Sequence, residues 1–295
     1  MPVDIDIIAA AYRSNALRRQ TNLPYTTMPS TSQQQAADLI WQHWQQRTHL
    51  AALPSGLKPA TRAEGYAIQA CFEARSAKPL YGWKIAATSI AGQQHIQVDQ
   101  PLAGRILAER VYESGAELPL AGNQMRVAEG EFAFRMARDL PPRVARYTTD
   151  EVLAAVATLH PAIEVPDSRF APFEAAGGPQ LIADNACTDF LVVGAPAAEL
   201  WRSLDLTQHA VSAHHAAAHD GSVTAIQGVG SNVLGNPLVA LTWIANELSG
   251  IKVTLRAGEL VTTGTCFKPF AIAPGDAVEI NYGVLGSVAV RFALG

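Results

Sequence analysis

The sequence predicts an α+β fold: a helical N-terminal region, residues 1–80, followed by a mostly β body, residues 81–295. Two observations carry this reading. Before Pro79, apolar residues recur at helical spacing; after it, segments become short, apolar and bounded by Gly or Pro. No internal repeat and no long βαβ alternation is present, so a helical part and a β body are the natural division.

Taken in order, residues 1–20 read as an amphipathic helix. Ile5, Ile8, Ala9 and Tyr12 lie at helical spacing, with Arg13, Arg18 and Arg19 beyond them as a solvated helix end. Asn22 to Ser32, rich in Pro, Thr and Ser, reads as a loop. A second helix is expected over Ser32–Thr48, with Ala36, Ile40 and Trp44 as its buried stripe. Leu53 to Pro59 breaks it. Thr61–Ala77 is expected as a third helix, holding Tyr66, Ile68, Ala70 and Phe72. Leu80–Ile85 is a short strand candidate. Val127–Met136 alternates in strand fashion, so Glu129 and Glu131 share one face while Phe132, Phe134 and Met136 take the other. Thr148-x-x-Glu151 matches a capping box, and Val152, Ala155, Val156 and Leu159 behind it are spaced for a helix that stops before Pro161. Ile163-Glu164-Val165 is a second strand-like run, with Glu164 pointing opposite to its neighbours. Phe190–Val193 and Leu204–His215 read as strands, and Asp220-Gly221 as a hairpin turn. Gly235-Asn236-Pro237 leads into a helix over Leu238–Leu248. Ala277–Asn281 and Ser287–Phe292 are the closing strands.

Composition excludes several function classes. A hydrophobic share of 48% with 16% charged residues describes a globular chain, not a disordered one. Lys+Arg 22 against Asp+Glu 26 leaves a formal charge of −4 and no basic stripe, so nucleic acid is not an expected partner. No apolar run reaches the roughly eighteen residues of a membrane span. The N-terminus carries acids where a signal peptide has bases, which points to the cytoplasm. Cys71, Cys187 and Cys266 are scattered, odd in number and form no CxxC pair, as suits buried thiols in a reducing compartment.

Three carboxylates on two strand-like segments can converge on one hard cation. Glu129, Glu131 and Glu164 are therefore the candidate metal ligands, weighed against a solvated outer strand face. An all-oxygen set favours Mg²⁺ or Mn²⁺ over zinc. His209, His214, His215 and His219 cluster in sequence without an HExxH pattern and read as a polar strand and hairpin tip. The Gly228–Gly235 run places Val233 where a dinucleotide loop needs its third glycine, and that reading is rejected. Lys84, Ser168, Arg169, Asp184 and Asn185 carry no signal in isolation.

Taken together, ordered motifs go further. Gly82-Trp83-Lys84, V-D-Q-P-L-A-G at Val98–Gly104 and Glu129-Gly130-Glu131 are followed by P-A-I-E-V-x-D-S-R, A-D-N-A, G-S-N-V-L-G-N-P-L and A-G-E-L-V-T-T-G-T. From about residue 60 to 295 the chain resembles the 2-keto-4-pentenoate hydratase / 2-oxohexenedioate decarboxylase branch of the fumarylacetoacetate hydrolase superfamily. The resemblance implies a roll- or sandwich-like β catalytic domain and a divalent metal, Mg²⁺ or Mn²⁺, on Glu129, Glu131 and Glu164. It implies a small 2-oxo- or 2-hydroxy-enoate substrate and hydration of a 2-hydroxy-2,4-dienoate in meta-cleavage catabolism of aromatic compounds. The sister decarboxylase, a C–C hydrolase and a non-catalytic partner subunit are the alternatives. By motif position, Lys84 and Asp99 are the proton-transfer candidates, with the Lys84 pKa expected to be lowered by desolvation. Ser168, Arg169 and Asn185 are candidates for holding substrate. Lys268 sits where many relatives carry small or aliphatic residues; it is either a surface lysine or a partner for a second carboxylate. The resemblance also implies a homo-oligomer and allows a complex with a downstream pathway enzyme.

Overall fold

Ser30 starts the first helix of the computed structural model, which describes residues 29–294. Its Oγ accepts from the Gln33 amide while the Gln33 side chain accepts from the Ser30 amide, satisfying two donors that a helix start leaves open. Helix α1 (Thr31–Gln46) buries Ala36, Ala37, Ile40 and Trp44 and ends at Arg47 in the left-handed region, φ 53°. The helix expected over residues 1–20, and most of the expected Asn22–Ser32 loop, lie outside the described residues. Helix α2 (Arg62–Ala70) has the same reciprocal cap, between Thr61 and Glu64. It is shorter than the expected Thr61–Ala77. The reason lies in tightening of the backbone: Phe72, Glu73 and Arg75 amides each bond a carbonyl three residues back, which ends the regular α-ladder.

The larger, 8-stranded sheet contains β1 (Gly82–Ala86), β2 (Leu102–Ile106), β3 (Val111–Glu113), β5 (Val127–Met136), β6 (Val156–Val165), β7 (Phe190–Val193) and β10 (Leu260–Thr265) in the order β2-β1-β10-β5-β6-β7-β3, with β11 (Phe270–Ala271) also on β5. The 5-stranded sheet runs β4 (Ala116–Leu118), β13 (Ser287–Phe292), β12 (Ala277–Asn281), β8 (Ala210–Ala216) and β9 (Val223–Val229). Short helices α3 (Ile90–His95), α4 (Thr149–Leu153) and α5 (Gly178–Ala183), and the longer α6 (Pro237–Gly250), complete the α+β fold. No helix among the described residues is long and apolar enough to cross a membrane.

Two expectations are corrected. The capping box at Thr148 and Glu151 is present, but α4 stops at Leu153, and Val156, Leu159 and Pro161 belong to strand β6. A short apolar run fits either period, and pairing with β5 along the whole run decides for the strand. Pro161, which has no amide to donate, sits just before β7 joins at Ala162, and its carbonyl accepts from Gly194 at 2.9 Å. Likewise only Ala210–His215 of the expected Leu204–His215 strand lies in β8. A 3₁₀ turn over Glu199–Ser203 precedes it, followed by a tight Asp205-to-Thr207 bond.

One hydrophobic cluster includes Ala36, Ile40, Trp44, Tyr66 and Phe72 from the helical region, Trp83, Phe134 and Phe190 from the large sheet, and Leu241, Ile244 and Leu248 from α6. Each such large side chain contributes about 1.5–3 kcal/mol when fully buried. Trp44 also has a polar tether, its indole donating to Asp189 at 2.9 Å, and Arg47 pairs with the same carboxylate at 2.5 Å. Helix α1 and its cap are therefore fastened directly to the segment just before β7.

Candidate active site

Strand alternation sends Phe132 and Phe134 into the core and turns Glu129 and Glu131 to the opposite face. In the register with β6, Glu129 lies directly across from Glu164. The carboxylates of Glu129, Glu131 and Glu164 thus converge, each offering an oxygen within 4.8 Å of the others. Register through β10 carries Lys84 of β1 onto the same face. Its Nζ is 3.0 Å from Glu164 Oε1 and donates to the Ala186 carbonyl at 3.1 Å. Lys84 and Glu164 are three strands apart, about 14 Å in a flat sheet. Side chains standing off a sheet meet across that gap only if the sheet curls toward this face.

A β-bulge shapes the site. Thr262 pairs with Ala133 but Thr265 pairs with Glu131, so β10 carries one residue more than β5 over this stretch. Gly264 takes a φ of 98°, which turns its amide onto Glu131 Oε2 at 2.6 Å. A Cβ on Gly264 would lie 2.0 Å from Thr88 Oγ1. Gly264→Ala is therefore expected to lose more than about 1 kcal/mol of stability from the positive φ and the clash. Urea unfolding of the purified variant checks this, and a variant as stable as the parent would show that the bulge relaxes.

The electrostatics are those of an unneutralised acid cluster. Burial, then the charge of Glu164, push Glu129 up to about 7, against the pull of Lys84. Burial and the two other glutamates raise Glu131 well above the carboxylate range. Burial alone pulls Lys84 down, but Glu164, Glu129 and Glu131 outweigh it and the net direction is up. The three carboxylates thus act on Lys84 against the desolvation that the sequence suggests. Glu131 Oε1 and Glu164 Oε2 are buried without a hydrogen-bond partner. Orphaned carboxylate oxygens, an all-oxygen donor set and converging geometry fit a hard divalent cation.

The remaining expected residues are placed differently. Ser168 Oγ donates to Asp184 Oδ2 at 2.6 Å. Arg169 pairs with Asp184 Oδ1 at 2.5 Å and gives its other donors to the carbonyls of Asp167, Thr188 and Asp184. Asn185 clamps the Arg105 backbone, accepting from its amide at 2.6 Å and donating to its carbonyl at 2.7 Å. All three side chains are bonded to the protein itself, and in this arrangement they brace the turn beside the site. Asn185, Ala186 and Cys187 are all left-handed, φ 59°, 51° and 59°. Such strain costs on the order of 1–3 kcal/mol per residue and is kept where surroundings enforce it. Here the turn aims the Ala186 carbonyl at Lys84. Asp99 is exposed on the segment between α3 and β2 and hydrogen-bonds to none of the cluster; Lys268 is exposed between β10 and β11 and forms no ion pair among the described residues.

Residues 74–293 match the family model described as fumarylacetoacetate (FAA) hydrolase C-terminal. The chain belongs to this family. It is similar to a 2-keto-4-pentenoate hydratase of Burkholderia vietnamiensis, 35% identical over 72% of this chain and 77% of that protein. It is also similar to a 2-keto-4-pentenoate hydratase of Paraburkholderia xenovorans, 29% identical over 90% and 96%. Among solved structures, the 4-oxalocrotonate decarboxylase from Pseudomonas putida G7, complexed with magnesium and adipate, is 25% identical with a TM-score of 0.78, covering 88% of this chain and 97% of that chain.

Within this fumarylacetoacetate hydrolase-type site, three contributors carry no residue-level signal beforehand. The Gly264 amide and the Ala186 carbonyl are backbone groups, recognisable only through the T-T-G-T and A-D-N-A strings that contain them. Asp184 is visible as part of A-D-N-A but not as the partner of Arg169. Of the clustered histidines, His214 and His215 lie on β8 and His219 at the hairpin tip, while His209 just precedes the strand. His209 meets the Tyr282 carbonyl at 2.7 Å, His215 meets Asp276 at 2.7 Å, and neither joins a metal-ligating group among the described residues.

Proposed function

We propose that this chain is a hydro-lyase that adds water to a short 2-hydroxy-2,4-dienoate, through its 2-oxo-enoate tautomer, to give a 4-hydroxy-2-oxo acid in meta-cleavage breakdown of aromatic compounds. The observation that carries the reading is the convergence of Glu129, Glu131 and Glu164 beside the Lys84 ammonium. Similarity to 2-keto-4-pentenoate hydratases over most of both chains, and to a 2-hydroxyhexa-2,4-dienoate hydratase of Comamonas testosteroni at 32% identity, supports the substrate class.

In this reading Glu129, Glu131 and Glu164 hold one divalent cation, Mg²⁺ or Mn²⁺. When bound, the cation supplies a Lewis acid for the carboxylate and carbonyl oxygens of a 2-oxo acid. The chain does the rest. Gly264 fixes the Glu131 carboxylate through its amide, and the Asn185–Cys187 turn holds Lys84 through the Ala186 carbonyl. Lys84 carries a proton at Nζ over the acid cluster and is assigned to proton transfer at the substrate carbon. Asp99 is assigned a second proton transfer on its V-D-Q-P motif alone. Glu131, Glu164 and Lys84 are buried, which excludes bulk water, whereas Glu129 is half-buried and marks the side from which substrate enters. On the resemblance alone, the proposal extends to a cytoplasmic homo-oligomer.

A decarboxylase is the second reading, favoured by the solved neighbour of that activity. Product analysis separates the two. With Mg²⁺, 2-hydroxypenta-2,4-dienoate is expected to gain one water, and 2-oxohex-3-enedioate to survive unchanged. Release of CO₂ from the second, with the first untouched, would transfer the site to the decarboxylase.

A further inference from the structure

Thr262 is fully buried, and its Oγ1 has no hydrogen-bond partner. An unpaired hydroxyl taken from water carries a desolvation penalty, and native interiors satisfy nearly all such groups. Its neighbour Thr263, turned to the other face of β10, shows that this strand can satisfy a threonine: Thr263 Oγ1 donates to the Phe132 carbonyl at 3.0 Å.

Register locates the unpaired hydroxyl. Gly82 pairs with Leu260, so Lys84 and Thr262, each two residues on, share one face and one row. Thr262 pairs on its other side with Ala133, and Glu131 is the next residue of β5 on that face. Thr262 therefore lies between the root of Lys84 and Ala133, with Glu131 the next side chain along that face of β5. Glu131 Oε1 and Glu164 Oε2 are also orphaned on this face. The carboxylate oxygens are acceptors that a cation satisfies. The threonine differs in kind, because its hydroxyl has a proton to give, and what it lacks is an oxygen to receive it.

We propose that Thr262 is a substrate-binding residue whose hydroxyl donates a hydrogen bond to an oxygen of the 2-oxo acid seated at the glutamate cluster. This rests on the oxo-acid reading of the site and adds to it a contact on the floor beneath the carboxylates. Val fills the same space without the hydroxyl, so Thr262→Val removes only the donor.

The test uses oxalate, a stable 2-oxo-acid mimic, titrated calorimetrically into the Mg²⁺-loaded chain, alongside thermal unfolding without ligand. Thr262→Val is expected to melt at or above the parent temperature, since an orphaned hydroxyl is lost, and to bind oxalate about tenfold more weakly. Thr262→Ser, which keeps the donor, is expected to bind within about threefold of the parent. Parent-like oxalate affinity in Thr262→Val would overturn the inference while leaving the oxo-acid reading intact. Clear destabilisation of Thr262→Val would overturn it too, because the hydroxyl would then have an internal partner, and failure of both variants to fold would count the same way. Absence of Mg²⁺-dependent oxalate binding in the parent would instead bring down the oxo-acid reading, and this inference with it.

Discussion

Glu131→Gln is expected to abolish hydration, with a loss well beyond the roughly 10- to 100-fold typical of changing a group that only supports a metal ligand. Glu131 is fully buried, with one oxygen fixed by the Gly264 amide and the other without any partner. The amide substitution keeps the shape and the Gly264 contact but removes one charge from a three-carboxylate set. It also relieves the mutual repulsion that raises Glu129 and Glu131. The variant should therefore be at least as stable as the parent while failing at chemistry. Steady-state rates and urea unfolding on the same preparation check the pair of outcomes. A variant that hydrates substrate within tenfold of the parent would remove Glu131 from the machinery.

The largest effect on stability is expected at Asp184→Ala, a loss of about 3–5 kcal/mol. Asp184 is held by Ser168, by the Arg169 amide and by the Arg169 guanidinium, all buried. Burial pushes its carboxyl up to about 6, against the pull of Arg169 and Ser168. Deleting it leaves the guanidinium of Arg169 in the core without a counter-charge, which is the costly half of a broken buried pair. The left-handed turn that follows would loosen as well, and with it the Ala186 carbonyl on Lys84. Urea unfolding should show a midpoint far below the parent's. A change under about 1 kcal/mol would mean that Arg169 is free to serve another partner, and a substrate carboxylate would return as its role.

How much of this was legible in the sequence varies residue by residue. Alternation in Val127–Met136 displays the facing of Glu129 and Glu131 because a strand's period of two is written locally. The partnership with Glu164 is not local; it depends on the β5–β6 register, and the helix-like spacing of Val152, Val156 and Leu159 pointed the wrong way for half of β6. Lys84 is marked in the sequence only by its motif: the desolvating Trp83 is its neighbour and legible, whereas the three carboxylates that act on its charge arrive from distant strands. Ser168, Arg169 and Asn185 are legible as candidates for holding substrate only through their motifs. Their partners, Asp184 and the Arg105 backbone, are not legible there, because that pairing depends on the fold. The bulge at Gly264 left a glycine in the sequence but nothing to say which side chain its amide would meet.

Glu129, Glu131 and Glu164 are together expected to hold one divalent cation. The most direct test is calorimetric titration of Mg²⁺, and of Mn²⁺ followed by electron paramagnetic resonance, into the metal-stripped chain and into Glu164→Gln. One cation per chain in the parent, lost in Glu164→Gln and removed by EDTA, is the expected result. Undiminished binding in Glu164→Gln, or no binding by the folded parent, would contradict it.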